Sequence, residues 1–103
     1  MEYSQLEPKV IWKNFAALNS VPRPSKKEEK VIKFIKEFGE KLGLPTTVDD
    51  TGNVIITKPA TAGMENRQPI VMQSHLDMVC QKNNDVDFDF ETQGIQMFVD
   101  GDW

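Results

Sequence analysis

The spacing of apolar residues predicts two amphipathic helices in the first half of the chain. From Pro8 to Leu18, apolar side chains recur with the three- and four-residue spacing of one helical face. Pro8 suits the first helical position, where a missing N–H costs nothing. The first helix should end before Pro22 and Pro24, since prolines and their predecessors resist helical geometry. The apolar face of this helix contains Val10, Ile11, Phe15 and Leu18.

The second helix has both a start signal and a stop signal. Ser25 and Glu28 have the spacing of a capping box, in which the serine hydroxyl and the glutamate each bind a backbone amide of the first turn. Gly43 supplies a left-handed stop after the last apolar position. The apolar positions are Val31, Phe34, Ile35, Phe38 and Leu42.

Beyond Gly43 the pattern becomes typical of strands. Thr46–Val48 and Asn53–Thr57 flank a polar turn that contains Gly52, which predicts a hairpin. A polar loop, Lys58–Gln68, follows. The continuous apolar run Ile70–Met72 is typical of a strand that is buried on both faces.

Two helices followed by strands predict an α/β fold in which the helices precede a mixed sheet. Phe98 and Val99 indicate a further strand, and Asp100–Gly101 a hairpin turn after it. The sequence stops at Trp103, where the returning strand should begin. We therefore expect residues 1–103 to be a truncated, incomplete part of one domain.

Composition and charge exclude several classes of protein. The 12 Lys and Arg against 16 Asp and Glu give a formal charge of −4, without the clustered basic residues that nucleic acid requires. We expect no membrane association, because no apolar run approaches the roughly 20 residues of a membrane helix. The N-terminus lacks the features of a signal peptide, which predicts a cytoplasmic location. Cys80 is the single cysteine, so an internal disulfide is excluded.

His75 and Asp77 are the candidate functional residues, because they follow the predicted buried strand. Ligands tend to bind at the carboxyl ends of strands in open α/β sheets. A neutral imidazole is a good zinc ligand, and a nearby carboxylate can hold the orientation of its ring. Two-residue spacing in an extended chain places both side chains on one side. The pair alone also fits a surface histidine beside a loop aspartate, and a zinc site needs further ligands.

For two other features we favour a structural interpretation over a functional one. Cys80 could be a ligand or a nucleophile, but a small, semi-buried thiol is the favoured interpretation. The acidic run from Asp85 to Glu91 begins like a calcium loop, then places Phe90 where the loop needs glycine and Gln96 where it needs glutamate. We interpret this run as a solvated acidic loop.

The chain resembles the aminoacyl-histidine dipeptidases, also called Xaa-His dipeptidases, over nearly its whole length. Ile70–Val79 with Gln81–Asn83 resembles the metal-binding segment of this family. Ser20–Ser25 is similar to its first helix junction, Asp50–Val54 to its early hairpin, and Lys58–Arg67 to a loop particular to the subfamily.

The resemblance implies a function and an incomplete site. Members of the family are cytosolic di-zinc peptidases with an α/β catalytic domain of the zinc-exopeptidase kind and a smaller lid domain, and they hydrolyse dipeptides with metal-activated water. His75 matches a zinc ligand, and Asp77 matches the active-site carboxylate that orients it. The other ligands, the general-base glutamate and the lid match positions beyond Trp103, so this chain alone is expected to be inactive. Cobalt or manganese could replace zinc, and the full-length protein could form a homodimer.

Two alternatives remain open. The chain could be a non-catalytic fragment that folds and binds something or self-associates through open sheet edges. The complete protein could instead be a related di-zinc tripeptidase, desuccinylase or amino-acid deacylase.

Overall fold

A computed structural model describes residues 2–103 and confirms two helices followed by strands. A single 3₁₀ turn, Tyr3–Gln5, precedes α1 and packs against it. The named elements are α1 (Lys9–Asn19), α2 (Glu29–Lys41), β1 (Thr46–Val48) and β2 (Val54–Ile56). In residues 2–103 no helix combines the length and the apolar character that crossing a membrane requires.

The predicted hairpin forms as an antiparallel pair. Thr46 lies opposite Ile56 and Val48 lies opposite Val54, so the turn connects the Val48–Val54 pair. The Asp49 carboxylate organises that turn, because it accepts hydrogen bonds from the side-chain amide of Asn53 at 2.9 Å, the Asn53 backbone N–H at 2.9 Å and the Thr51 N–H at 3.0 Å. These bonds favour the ionised carboxylate, so the pKa of Asp49 lies below its ordinary value, with the Asn53 side chain as the largest cause.

Replacing Asp49 with alanine is expected to destabilise the hairpin and to make its stability depend less on pH. A carboxyl whose pKa is lower in the folded state stabilises that state above its unfolded pKa of about 4 and loses this contribution as the pH falls through the folded value. Urea unfolding midpoints at pH 7 and pH 3 measure both effects. Asp50→Ala is the matched control, since it removes the adjacent charge and leaves the bonds to Thr51 and Asn53 intact. Equal pH dependence of the two variants would contradict the role given to Asp49.

Gly39 lets α2 pack closely on the hairpin. A Cβ at this position would overlap the Thr46 hydroxyl oxygen and would lie 3.0 Å from the Ile56 Cδ1. The predicted helix stop is confirmed, because Gly43 has a φ of +72° and the N–H of Leu44 bonds to the Gly39 carbonyl at 3.1 Å. Gly39 therefore accepts a hydrogen bond that ends the helix, and its lack of a side chain allows the helix to pack on the strands.

The predicted capping box at Ser25 is wrong. Helix α2 begins at Glu29, and Lys26 has a left-handed φ of +69° that is incompatible with a first helical turn. The Glu28 carboxylate accepts the Lys26 N–H at 2.9 Å, which stabilises this turn outside the helix. Long-range contacts of Ser25, described below, override the local helix signal.

Contacts group the chain into two compact units. One contains Met1–Val31 and Asp77–Trp103, and the other contains Ile32–Leu76. In the first unit, the Ile95 N–H donates to the Asn19 carbonyl at 2.7 Å, and the Asn19 amide lies 3.2 Å from the Met97 sulfur. Asn19 is only 6% exposed, which makes it a buried polar anchor at the end of α1.

Several predicted apolar positions are exposed instead of buried. Ile70, Val71 and Met72 are 87%, 91% and 93% exposed and lie in no strand, so the prediction of a buried strand there is wrong for residues 2–103. A strand needs pairing partners to be buried, and the sheet of the described residues holds β1 and β2 alone. Among the described residues Phe98 and Val99 also lie in no strand, so the strand predicted there does not form. The hairpin turn after it is confirmed, with two hydrogen bonds joining Asp100 and Trp103 at 2.9 and 3.0 Å.

Candidate functional site

Asp77 lies on a short stretch of backbone that is fixed to the chain between α1 and α2. Pro24 and Met78 form an isolated parallel bridge. The Met78 N–H donates to the Arg23 carbonyl at 2.9 Å, and the Ser25 N–H donates to the Met78 carbonyl at 3.3 Å. Both polar groups of Met78 are therefore bonded, which holds the backbone next to Asp77 in place.

The side chain of Asp77 is held by a second segment of the same unit. The Ser25 hydroxyl donates a hydrogen bond to Asp77 Oδ2. Asp77 is half-buried, whereas Ser25 is exposed. A hydroxyl bonded to one carboxylate oxygen restricts rotation of the carboxylate, so the predicted active-site group has a defined orientation.

His75, the predicted zinc ligand, belongs to the other unit, since the division falls between Leu76 and Asp77. The imidazole is exposed, and the neighbouring Ser74 hydroxyl donates to the His75 carbonyl at 3.3 Å. An imidazole and a carboxylate are donor types that zinc accepts. Among residues 2–103 no three His, Cys, Asp or Glu side chains are grouped so that they could hold a metal ion. The donors present thus fit one part of a metal site.

Cys80 is half-buried, as the favoured interpretation of this thiol predicts. Its Sγ lies 3.7 Å from the Met78 carbonyl oxygen. The thiol therefore faces the backbone of the same short segment that positions Asp77.

The acidic run is exposed, as predicted, but it is more ordered than a solvated loop. The Asp89 carboxylate accepts the Glu91 N–H and the Thr92 hydroxyl, both at 2.9 Å, and these bonds lower the pKa of Asp89. The Glu91 carboxylate binds the Lys27 ammonium, which raises the pKa of Lys27, and the Lys30 ammonium donates to the Glu91 carbonyl at 3.0 Å. This turn fastens the later part of the chain to the start of α2.

Sequence reasoning missed the contact of Ser25 with Asp77. The two residues are 52 positions apart, and a serine before a helical pattern is normally a cap. The only sequence signal against a cap is the rigid Pro22-Arg23-Pro24 stretch, which presents an extended backbone on which Met78 can pair.

Comparisons with known proteins agree with the resemblance read from the sequence. No model of a protein family matches the chain. Over 102 residues the chain is 49% identical to a protein called cytosol non-specific dipeptidase from Escherichia coli (strain K12), covering 99% of this chain and 21% of that protein. It also matches a crystal structure of aminoacylhistidine dipeptidase from Vibrio alginolyticus, with a TM-score of 0.94 and 46% identity over the whole chain.

The chain spans about a fifth of the length of both relatives. Its two helices and antiparallel strand pair match the N-terminal part of the dipeptidase structure. The resemblance to aminoacyl-histidine dipeptidases is therefore confirmed, and it extends to the fold of this segment.

Proposed function

We propose that this chain is the N-terminal part of a cytoplasmic, metal-dependent dipeptidase that hydrolyses Xaa-His and other dipeptides. The observation that carries the proposal is the match of the entire chain, at a TM-score of 0.94 and 46% identity, to part of a dipeptidase. Both relatives carry dipeptidase names, which favours this reading over a tripeptidase, a desuccinylase or an amino-acid deacylase.

In this proposal the chain contributes one metal ligand and the carboxylate that supports it. The exposed His75 imidazole would bind one of two zinc ions, and cobalt or manganese could take the same place. Asp77 would hold the ring of His75 in its binding orientation and raise its basicity, as carboxylates beside ligating histidines do. When bound, the metal supplies Lewis-acid activation of water and of the scissile carbonyl.

A chimera tests the proposal directly. In this chimera the present chain replaces the matching residues of the Escherichia coli dipeptidase, with which it aligns over 102 residues. We expect the purified chimera to hydrolyse a dipeptide with C-terminal histidine, to lose that activity with a chelator, and to recover it when zinc is returned. The 103-residue chain alone should show no turnover, because a single ligand leaves the pre-organised site incomplete.

Two outcomes would overturn the proposal. One is a chimera that folds with native-like helical content but neither binds zinc nor hydrolyses dipeptides. The other is chelator-sensitive hydrolysis by the 103-residue chain itself, which would show that a complete site exists without the remaining four-fifths of a relative.

A second candidate function is a non-catalytic fragment that self-associates, and one observation favours it. Ile70, Val71 and Met72 are consecutive, apolar and at least 87% exposed, a pattern that promotes pairing between chains. Light scattering of the 103-residue chain at increasing concentration tests this reading. Oligomers that disappear in an Ile70→Lys, Met72→Lys double variant would support it, and a monomer at all concentrations would contradict it.

A further inference from the structure

We propose that Ser25 is a positioning residue for Asp77, and that the enzyme loses metal affinity and turnover when the Ser25 hydroxyl is removed. This inference rests on the proposed function and adds a residue to its site. Ser25 comes from the segment before α2, and its hydroxyl donates to Asp77 Oδ2 across 52 positions of sequence.

The backbone around this contact is fixed on both sides. The bridge between Pro24 and Met78 sets the distance between the two segments, with hydrogen bonds of 2.9 Å and 3.3 Å to the two polar groups of Met78. Directly after Ser25 the chain turns through the left-handed Lys26, whose N–H is bound by the Glu28 carboxylate at 2.9 Å. Ser25 is thus held between a paired residue and a fixed turn, which restricts where its hydroxyl can point.

A fixed hydroxyl holds one oxygen of the Asp77 carboxylate. The Ser25 hydroxyl donates to Oδ2, which restricts rotation of the carboxylate plane. A carboxylate orients a ligating histidine only when its own rotation is restricted, and outer partners of this kind tune both metal affinity and activity. In this proposal Ser25 acts through Asp77, to which its hydroxyl donates.

The test uses the chimera defined above with three single substitutions of serine, and with Ser25→Ala added to an Asp77→Ala variant. Ser25→Ala removes the hydroxyl, Ser25→Thr retains it, and Ser20→Ala is the matched control. The Ser20 hydroxyl donates to the Ala17 carbonyl at 2.7 Å at the end of α1 and belongs to the same unit. The measurements are zinc affinity by competition with a chelator, kcat and KM for the histidine dipeptide, and the thermal midpoint.

Ser25→Ala should weaken zinc binding and lower kcat by about 10-fold each, the lower end of outer-partner effects, while KM changes by less than about twofold. Ser25→Thr should restore both values to within about threefold, and Ser20→Ala should leave both unchanged. In an Asp77→Ala background, Ser25→Ala should have no further effect, because two residues that act as one unit are not additive.

Three results would overturn the positioning role while the proposed function stands. In the first, Ser25→Ala has the same zinc affinity and kcat as Ser20→Ala. In the second, Ser25→Thr is as impaired as Ser25→Ala. In the third, Ser25→Ala lowers zinc affinity and kcat to its full extent even in the Asp77→Ala background. If the unsubstituted chimera folds but lacks zinc and dipeptidase activity, the proposed function fails and the positioning role fails with it.

Discussion

Replacing His75 with alanine in the chimera is expected to lower dipeptide hydrolysis by more than about 100-fold, beyond the usual range for outer partners, because it removes a direct metal ligand. The imidazole is exposed in the described chain, so its removal should leave the folded state intact. The loss should therefore appear in zinc content and in kcat, while the thermal midpoint should match that of the zinc-free unsubstituted chimera.

Gln73→Ala is the matched control for this prediction. Gln73 lies in the same exposed segment, two residues before His75. Zinc content by mass spectrometry and turnover of a histidine dipeptide are measured for both variants. A His75→Ala chimera that retains full zinc and turnover would show that the resemblance does not extend to the chemistry of this residue.

Replacing Gly94 with alanine is expected to destabilise the protein by about 2–3 kcal/mol, the upper part of the range for overpacking. The added Cβ would overlap the Ser20 carbonyl group and would lie 2.7 Å from the Ser20 Cα. Backbone cannot move aside as the end of a flexible side chain can. The hydrogen bond of 2.7 Å from Ile95 to Asn19 depends on the same close approach, so it should weaken too.

Thermal or urea unfolding of the chimera measures this loss. Gln96→Ala is the matched control, since it shortens an exposed side chain two residues away and should change stability by less than about 0.5 kcal/mol. Equal midpoints for Gly94→Ala and the control would mean that the segment after residue 93 does not pack on the end of α1.

Local patterns predicted the elements that local interactions determine. The apolar spacing of α1, the Gly43 stop and the hairpin around Gly52 all depend on residues within a few positions of each other. The capping box failed for the opposite reason. Ser25 has the correct local spacing, but a long-range hydrogen bond to Asp77 competes for its hydroxyl, and no short window of sequence contains that competitor.

The candidate site stays a prediction. His75 and Asp77 were identified as a pair, and the resemblance gave each a proposed role, which the geometry leaves as a prediction. The sequence did not predict that Ile70–Met72 would be exposed. A run of apolar residues indicates a strand suited to burial, but it does not indicate whether the neighbouring strands that would bury it are present. The anchors at Asn19 and Gly94 carry no motif, since their importance arises from a close approach between distant segments.

The division of the chain into a continuous and a discontinuous unit predicts an order of events during folding. Ile32–Leu76 is continuous, and its hairpin and the packing of Gly39 join residues that are close in sequence. The other unit requires contacts such as Asn19 with Met97, which are 78 positions apart. Closing so long a loop is slow and costly in entropy. On the ribosome the hairpin unit is expected to form first, while the contacts of Asn19 with residues 95–97 can form only after those residues emerge.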